Sequence, residues 1–251
     1  MSDGVGDGVG DGAGAGDRTA ELAAALARTT ARTEAAARSA GRDPAELTLV
    51  VVTKFFPADD VARLAGLGVR DVGESRDQEA AAKAAELADL DLHWHFIGQL
   101  QTNKARSVAA YADVVHSVDR TRLAAALQAG AAHAGRRVGC FVQVDLAAGL
   151  GLDVDGGRGG AAGDDVLRVA DAVAAGDDLD LRGVMAVAPR DVDPARAFAE
   201  LARTAERLRA EHPGAVEVSA GMSGDLEEAV AAGATHLRVG SAILGSRPAA
   251  R

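Results

Sequence analysis

Lys54 is the residue whose position most clearly suggests chemistry. It follows the apolar, β-branched run of residues 47–53 and is followed by Phe55, Phe56 and Pro57. The run predicts a strand buried on both faces, and proline is typical of a first helical position. A lysine at the end of such a strand can lose hydration, which favours the neutral amine that attacks aldehydes to form a Schiff base. Taken alone, a strand-end lysine more often keeps its ammonium group in water.

Two segments near the C-terminus carry groups that suit an anion. They are Ser223 and Gly224 within residues 219–225, and Arg238, Gly240 and Ser241 within residues 238–241. Glycine lets the backbone approach a ligand, and arginine brings a permanent charge with a planar set of donors. A helix beginning near Asp225 adds the positive end of its dipole. Each group alone is more often structural, as an N-cap, a turn or a solvated charge.

The elements that must position these residues alternate between strand and helix. Strands are predicted at residues 47–53, 69–72, 92–97, 114–116, 138–144, 179–187, 216–218 and 236–239. Helices are predicted at residues 17–40, 58–66, 76–88, 101–110, 119–134, 163–175, 194–211 and 225–232. Eight such units predict a single (β/α)8 TIM barrel over residues 17–251. A doubly wound open sheet is the alternative, but the glycine-rich turn that it would place after its first strand is absent.

A barrel places the three segments around one pocket. Barrel sites lie at the carboxyl ends of strands, often with phosphate bound after strands seven and eight, and strand one adjoins strand eight. Lys54 is therefore expected beside a phosphate cradle, which suggests a phosphorylated aldehyde as ligand. Pyridoxal 5′-phosphate (PLP) and the substrate of a sugar-phosphate aldolase are both candidates.

Composition limits the other possibilities. Of the 251 residues, 48% are hydrophobic and 25% are charged, as in a globular protein, and the net charge of −10 argues against nucleic acid or an anionic membrane as partner. The single cysteine, Cys140, lies in an apolar run and is expected to be buried. Neither a transmembrane stretch nor a secretory signal is evident, so a cytoplasmic protein is expected. The glycine-rich, acidic residues 1–16 predict a disordered tail.

Several motifs resemble one known family. They are Val51-Val52-Thr53-Lys54, Val72-Gly73-Glu74, His93 to Lys104 (HWHFIGQLQTNK), Arg182-Gly183-Val184-Met185-Ala186, Gly221-Met222-Ser223-Gly224-Asp225 and Arg238 to Gly245 (RVGSAILG). Their order and sequence are similar to those of the PLP homeostasis proteins of the YggS/PROSC type. The barrel of that family is like the N-terminal domain of alanine racemase, the type III fold of PLP proteins, without the C-terminal β-domain of the racemase.

The resemblance implies a role for each matched residue. Lys54 would form the internal aldimine with PLP, and Arg238 would face the pyridine nitrogen and keep it unprotonated. The phosphate would be held by Ser223, Gly240 and Ser241, with Gly224 in the same loop. Asn103 would lie near the pocket rim and Met185 at the end of strand six.

Two segments depart from the family pattern. Ser75 stands where the family usually has an asparagine, and the glycine-rich residues 155–160 replace a segment that carries a lysine in the family. The second departure predicts a mobile loop over residues 147–163. His93 and His95 point the same way along a strand, but no third ligand has suitable spacing, so no metal site is expected.

Two classes of function remain open. A carrier would bind PLP, buffer it and pass it to PLP-dependent apoenzymes, and the family implies a monomer. A racemase needs a second base opposite Lys54, whereas the one tyrosine, Tyr111, falls at the end of a predicted helix. The chain also ends soon after strand eight, where alanine racemase continues into its β-domain. The carrier is therefore favoured over a racemase or another PLP enzyme.

Overall fold

Eight parallel strands form a closed barrel in the computed structural model, which describes residues 12–152 and 159–246. The strands are β1 (Thr48–Val52), β2 (Asp71–Glu74), β3 (His93–Phe96), β4 (Val114–Val118), β5 (Val138–Gln143), β6 (Leu179–Met185), β7 (Glu217–Ser219) and β8 (His236–Val239). They follow one another around the barrel in chain order, and β1 pairs with β8, with Val51 opposite Val239. The predicted TIM barrel is confirmed, and the open sheet is excluded.

Ten α-helices are described, most of them on the outside of the barrel. They are α1 (Gly12–Ser39), α2 (Ala58–Gly66), α3 (Asp77–Glu86), α4 (Ala105–Tyr111), α5 (Thr121–Ala134), α6 (Leu146–Gly149), α7 (Asp165–Ala174), α8 (Pro194–Glu211), α9 (Leu226–Ala231) and α10 (Ser241–Leu244). The predicted helices agree with these bounds to within a few residues. No helix in residues 12–152 and 159–246 is both long and apolar enough to cross a membrane.

Two predicted segments differ in part from the structure. The helix α1 begins at Gly12, so the last residues of the predicted tail are helical, whereas residues 1–11 lie outside the described part. The predicted loop over residues 147–163 contains most of α6. Its C-terminal end is held against the barrel. Ala161 is buried and forms a β-bridge with Val144, because backbone groups next to a buried strand end need partners. Residues 153–158 of this loop lie outside the described part.

Helix α1 is an addition to the eight strand–helix units, and its arginines contact the loops that follow the last strands. Arg18 donates to the carboxylate of Asp60 at 2.8 Å and to the carbonyl oxygen of Leu244 at 3.1 Å. Arg32 donates to the carbonyl oxygen of Ser223 at 2.7 Å. These contacts fix the backbone after β7 and β8 from outside the barrel.

The buried side chains of the barrel include both apolar and polar groups. Alternate residues of a strand face the helices or the barrel interior. Several inward positions carry buried polar side chains: His95, His116, Ser219, His236 and Arg238. The outward set is mainly aliphatic, and its buried polar exceptions, Thr53 and Glu74, contact Lys83 of α3. Cys140 is fully buried, as predicted, and burial raises the pKa of its thiol to about 12. A thiol in that state is a packing group and not a nucleophile.

Gly98 offers a test of how tightly the loops at the carboxyl ends of β2 and β3 approach each other. A Cβ at this position would lie 2.3 Å from the carbonyl oxygen of Ser75. We expect Gly98→Ala to lower the free energy of unfolding by about 1–3 kcal/mol, since the backbone must shift. Gly214→Ala is the control, because nothing lies within 4 Å of a Cβ there. Urea unfolding of both variants checks this, and equal stabilities would contradict the close approach.

Candidate functional site

Lys54 lies directly after β1 and lines a cavity of about 190 Å³ at the carboxyl end of the barrel. The cavity is also lined by Val52, Phe55, Phe56, Gly240, Ser241 and Gly245. The side chain of Lys54 is half-buried, and its Nζ lies 5.8 Å from the centre of the Phe55 ring. Within the part of the chain that the structure describes, Nζ makes no hydrogen bond or ion pair. The amine is therefore available to a ligand in this cavity.

The backbone beside Lys54 is held in an uncommon conformation. Phe55 has a φ of 74°, the left-handed region that is rare for residues other than glycine. Its backbone N–H donates to the carboxylate of Glu79 at 2.7 Å, and the guanidinium of Arg76 lies 4.6 Å from the ring centre. A strained residue persists when its surroundings determine its conformation, and such residues cluster at functional sites. These contacts fix the direction in which Lys54 leaves the strand.

The buried ammonium group of Lys83 holds the backbone at the end of β1. Lys83 of α3 donates to the carbonyl oxygen of Thr53 at 3.0 Å and to the carboxylates of Glu74 at 2.7 Å and Glu79 at 2.8 Å. Burial raises the pKa of Glu74, while the hydrogen bond and charge of Lys83 act in the opposite direction. The Thr53 hydroxyl donates to the same oxygen of Glu74. The buried cluster of Thr53, Glu74, Glu79 and Lys83 joins α3, β2 and the end of β1.

Arg238 lies inside the barrel on β8 and is only 5% exposed. It donates to the hydroxyl oxygen of Ser219 at 2.5 Å and to the carbonyl oxygen of Ala186 at 2.9 Å. Burial lowers its pKa to about 10, so the guanidinium remains charged at neutral pH. Among the described residues no carboxylate contacts it directly. A charge in this state attracts an acceptor atom placed at the inner end of the site.

The loops after β7 and β8 are adjacent, as expected for the two segments that suit an anion. Arg238 donates its backbone N–H to the carbonyl oxygen of Gly221 at 2.9 Å, which joins the strand to the loop that carries Ser223 and Gly224. Gly240 lies close to the end of β1, since a Cβ there would be 3.1 Å from the carbonyl oxygen of Val52, tighter than an ordinary contact. The space around Gly224 is open. Ser241 lines the cavity with Lys54, whereas Ser223 lies on the neighbouring loop.

The helix dipole expected beside this loop is small. Helix α9 runs only from Leu226 to Ala231, six residues, and α10 only from Ser241 to Leu244. Asp225, whose carboxylate accepts from the N–H of Met222 at 2.6 Å, shapes the loop before α9. Backbone N–H groups and serine hydroxyls are therefore the anion donors here, and the contribution of a macrodipole is minor.

Asn103 and Met185 are not part of the cavity beside Lys54. Asn103 is exposed on a short 3₁₀ turn, Thr102–Lys104, after β3. Met185 is buried at the end of β6, as its predicted place in the strand requires, and its carbonyl oxygen accepts from Val144. A second cavity of about 350 Å³ lies nearby, lined by Ser75, Arg76, Asp77, Gln78, Phe96, Gln99, Leu100, Gln101 and Lys104.

Three histidines, His95, His116 and His236, lie in the barrel interior, and they do not form a metal site in the described residues. His95 is hydrogen-bonded to Asp71 through Nε2 at 3.0 Å and to His116 through Nδ1 at 2.8 Å. His93, two residues earlier, is exposed. No group of three or more His, Cys, Asp or Glu residues in the described ranges is arranged to hold a metal ion.

Tyr111 ends α4 on the outer side of the barrel, as its place in the sequence predicts. Burial raises the pKa of its hydroxyl above the ordinary value. Tyr111 lines a groove with alanines of α3, the leucines that follow α3, and Trp94, and this groove shares no residue with the cavity of Lys54. A phenol in this place does not serve as a base at Lys54.

Sequence reasoning missed two supporting groups. The first is the buried cluster around Lys83, whose signal was the spacing of Glu79 and Lys83, four residues apart on one helix face. The second is the set of polar residues inside the barrel. Its signal was a charged or imidazole side chain at an inward position of an apolar strand, as at Asp71 and His116.

Comparison with known proteins places this geometry in a family. The model of the alanine racemase N-terminal domain matches residues 25–248. The pyridoxal phosphate homeostasis protein of Mycobacterium tuberculosis is 45% identical over 226 residues, which cover 82% of this chain and 85% of the relative. The protein of the same name from Escherichia coli K12 is 34% identical over 213 residues, 82% of this chain and 88% of the relative.

Solved structures agree with these sequence relationships. PipY of Synechococcus elongatus, solved with PLP bound, is 34% identical, with a TM-score of 0.75 over 89% of this chain and 100% of PipY. Alanine racemase of Corynebacterium glutamicum is 15% identical, with a TM-score of 0.65 over 92% of this chain and 62% of the racemase. The second likeness concerns the fold alone.

Replacing Lys83 tests the buried cluster. We expect Lys83→Met to lower the free energy of unfolding by about 3–5 kcal/mol, because it leaves Glu74 buried without a cation. The folded variant then binds a proton at Glu74 more tightly than the unfolded chain does, so part of the loss is recovered between about pH 7 and pH 5. Urea unfolding at both pH values measures this.

The control is Lys104→Met, which removes a half-exposed ion pair with Asp77 at 3.8 Å. A surface pair of this kind contributes about 1 kcal/mol or less. Equal losses of stability in the two variants, with no recovery at the lower pH, would show that the ion pairs of Lys83 do not stabilise the fold more than a surface pair does.

Proposed function

Because this chain belongs to the pyridoxal phosphate homeostasis proteins, within the family of alanine racemase N-terminal domains, we propose that it binds PLP and buffers it for other proteins. The observation that carries the proposal is the unbonded amine of Lys54 in a cavity shared with Gly240 and Ser241. When PLP is bound, Lys54 would supply the amine that holds its aldehyde group. Residues 17–251 form the PLP-binding barrel.

The groups around the cavity fit PLP by their chemistry. PLP combines an aldehyde, a phosphate and a ring nitrogen, and supplies an electron-withdrawing ring when bound. The cavity itself offers the amine of Lys54 and the hydroxyl of Ser241. The neighbouring loop after β7 adds Ser223, and the barrel interior adds the guanidinium of Arg238. Gly240 leaves room for the phosphate where a Cβ would meet the β1 backbone. Gly224 belongs to the same donor loop.

Asn103 and Met185 have lesser parts in this proposal. Met185 supports the pocket from beneath, because it ends β6 beside the carbonyl group of Ala186 that accepts from Arg238. Asn103 is exposed after β3, so it belongs to the outer rim and contacts a ligand only if the rim moves. Substituting it is expected to leave PLP retention nearly unchanged.

A carrier is favoured over a racemase by the acid–base groups of the site. Racemisation requires a base on each face of the substrate α-carbon. Lys54 would supply one base, and no second basic side chain among the described residues lines its cavity. The sole tyrosine lies on the outer side of the barrel. We therefore propose a non-catalytic binder that passes PLP to PLP-dependent apoenzymes, and we propose that it acts as a monomer in the cytoplasm.

The sequence allows a sharp test of the linking residue, since it contains only three lysines, Lys54, Lys83 and Lys104. We expect the purified protein with added PLP to show a visible absorption band. Borohydride reduction and peptide mapping should then place the label on Lys54, because Lys83 is buried with three acceptors.

Lys54→Ala should abolish the band, and the control Lys104→Ala should keep it. A band of undiminished intensity in Lys54→Ala would overturn the assignment of the linking lysine. Absence of any band in the unmodified protein would overturn the proposal that the chain binds PLP.

Ser241→Ala tests the phosphate contact. Losing a hydrogen bond to a charged group weakens binding by about 1.5–3 kcal/mol, roughly ten- to a hundredfold in Kd. The control is Ser39→Ala, at the exposed end of α1. Equilibrium dialysis against PLP and against pyridoxal separates the contributions, because pyridoxal lacks the phosphate. A loss of the same size for both ligands would contradict a phosphate contact at Ser241.

A further inference from the structure

A continuous line of hydrogen bonds crosses the barrel interior from Arg238 to the amino end of β2. We call Asp71, His95, His116 and Ser219 the interior relay. Arg238 Nη1 donates to Ser219 Oγ at 2.5 Å, and Ser219 Oγ lies 2.8 Å from His116 Nδ1. His116 Nε2 lies 2.8 Å from His95 Nδ1, and His95 Nε2 lies 3.0 Å from Asp71 Oδ1. Four strands, β2, β3, β4 and β7, each contribute one member.

The two ends of the relay determine its direction. Burial alone would raise the pKa of Asp71, but the hydrogen bond from His95 and the neighbouring His93 outweigh it and hold the pKa below its ordinary value. Asp71 is therefore a carboxylate that only accepts, so His95 Nε2 carries a hydrogen. At the other end, the guanidinium only donates, so an oxygen lone pair of Ser219 is used by Arg238.

The middle of the relay follows by counting hydrogens. Burial lowers the pKa of His116 well below its ordinary value, so its ring is neutral and carries one hydrogen. If that hydrogen were on Nδ1, Ser219 Oγ would accept hydrogen bonds from both Arg238 and His116. The buried hydroxyl hydrogen of Ser219 could then not be donated to His116. With hydrogen on Nε2 of both rings, every donor of the relay meets an acceptor. All four hydrogen bonds then point from Arg238 towards Asp71.

We propose that the interior relay positions Arg238 and sustains its charge as the fixed donor to the ligand's ring nitrogen, an inference that rests on the proposed PLP site. In each hydrogen bond of the relay the accepting atom belongs to the residue farther from Arg238, so each dipole turns its negative end towards the guanidinium. The carboxylate of Asp71 ends the relay. These dipoles compensate the buried cation while leaving no carboxylate against it. His95, His116, Ser219 and Asp71 are positioning residues, since they act through Arg238.

The first test needs no ligand. Nitrogen-15 NMR of the imidazole rings in the full chain without PLP at neutral pH should show His95 and His116 both as neutral Nε2–H tautomers. A hydrogen on Nδ1 of His116 would reverse the middle of the relay and overturn the proposal. This measurement stands whether or not the chain binds PLP, so it separates failure of the relay from failure of the proposed function.

The second test uses matched variants loaded with PLP. His116→Leu should weaken PLP retention about two- to tenfold, the contribution of about one hydrogen bond, and shift the absorption maximum of bound PLP. His116→Gln should restore both, because an amide accepts from Ser219 and donates to His95. The control is His236→Leu. His236 is buried and packs beside His95 and His116, but its hydrogen bond is with Thr235 at 2.9 Å and not with a member of the relay.

Equal retention and spectra in the two leucine variants would overturn the proposal, as would failure of His116→Gln to restore them. If His116→Leu does not fold, Asp71→Asn decides instead, because it keeps an acceptor and removes the charge at the partly exposed far end. It should shift the spectrum of bound PLP, and an unchanged spectrum would overturn the relay.

Discussion

A guanidinium buried inside the barrel is the constraint on which the rest of the site depends. Arg238 is almost fully removed from water, and a charge in that position is very unfavourable unless polar groups surround it. A carboxylate in contact would compensate the charge but also neutralise it towards a ligand. The interior instead supplies a hydroxyl, a backbone carbonyl group and oriented imidazoles. The interior of such a barrel is usually filled by branched aliphatic residues. The need to compensate the charge of Arg238 explains why this interior is polar.

The second buried cation, Lys83, is compensated in the opposite way and has the opposite purpose. Its ammonium group contacts two carboxylates directly, so its charge is fully used within the protein. The cluster therefore serves to position the backbone. It holds the end of β1 and the amide of Phe55, which fixes the direction in which Lys54 leaves the strand. One buried cation is left available to a ligand, and the other fixes the position of a reactive amine. The difference lies in whether acids or neutral dipoles surround each cation.

The fold could be predicted because the eight strands alternate with helices, and a parallel sheet of such units closes into a barrel. That Lys54, Ser223 and Arg238 come near one edge of the barrel could be predicted too, since each follows or ends a strand there; their roles remain a prediction. Their supports could not, because they depend on register across the barrel. Ser219 and His116 are 103 residues apart and meet only when β4 and β7 face each other. Nor does a hydrophobic pattern reveal that Arg18 and Arg32 hold distant loops from outside.

The arrangement of charges also bears on why a racemase-like barrel would serve as a carrier. A carrier must hold a reactive aldehyde without promoting chemistry on the amines that it meets. If PLP occupies the proposed site, Arg238 would present a charged donor at its inner end, and the relay would keep the guanidinium from turning away. Lys54 is half-buried beside the cavity, so water and a small amine could still reach a ligand held there. A fixed charge at the inner end and access at the outer end would together suit storage and release.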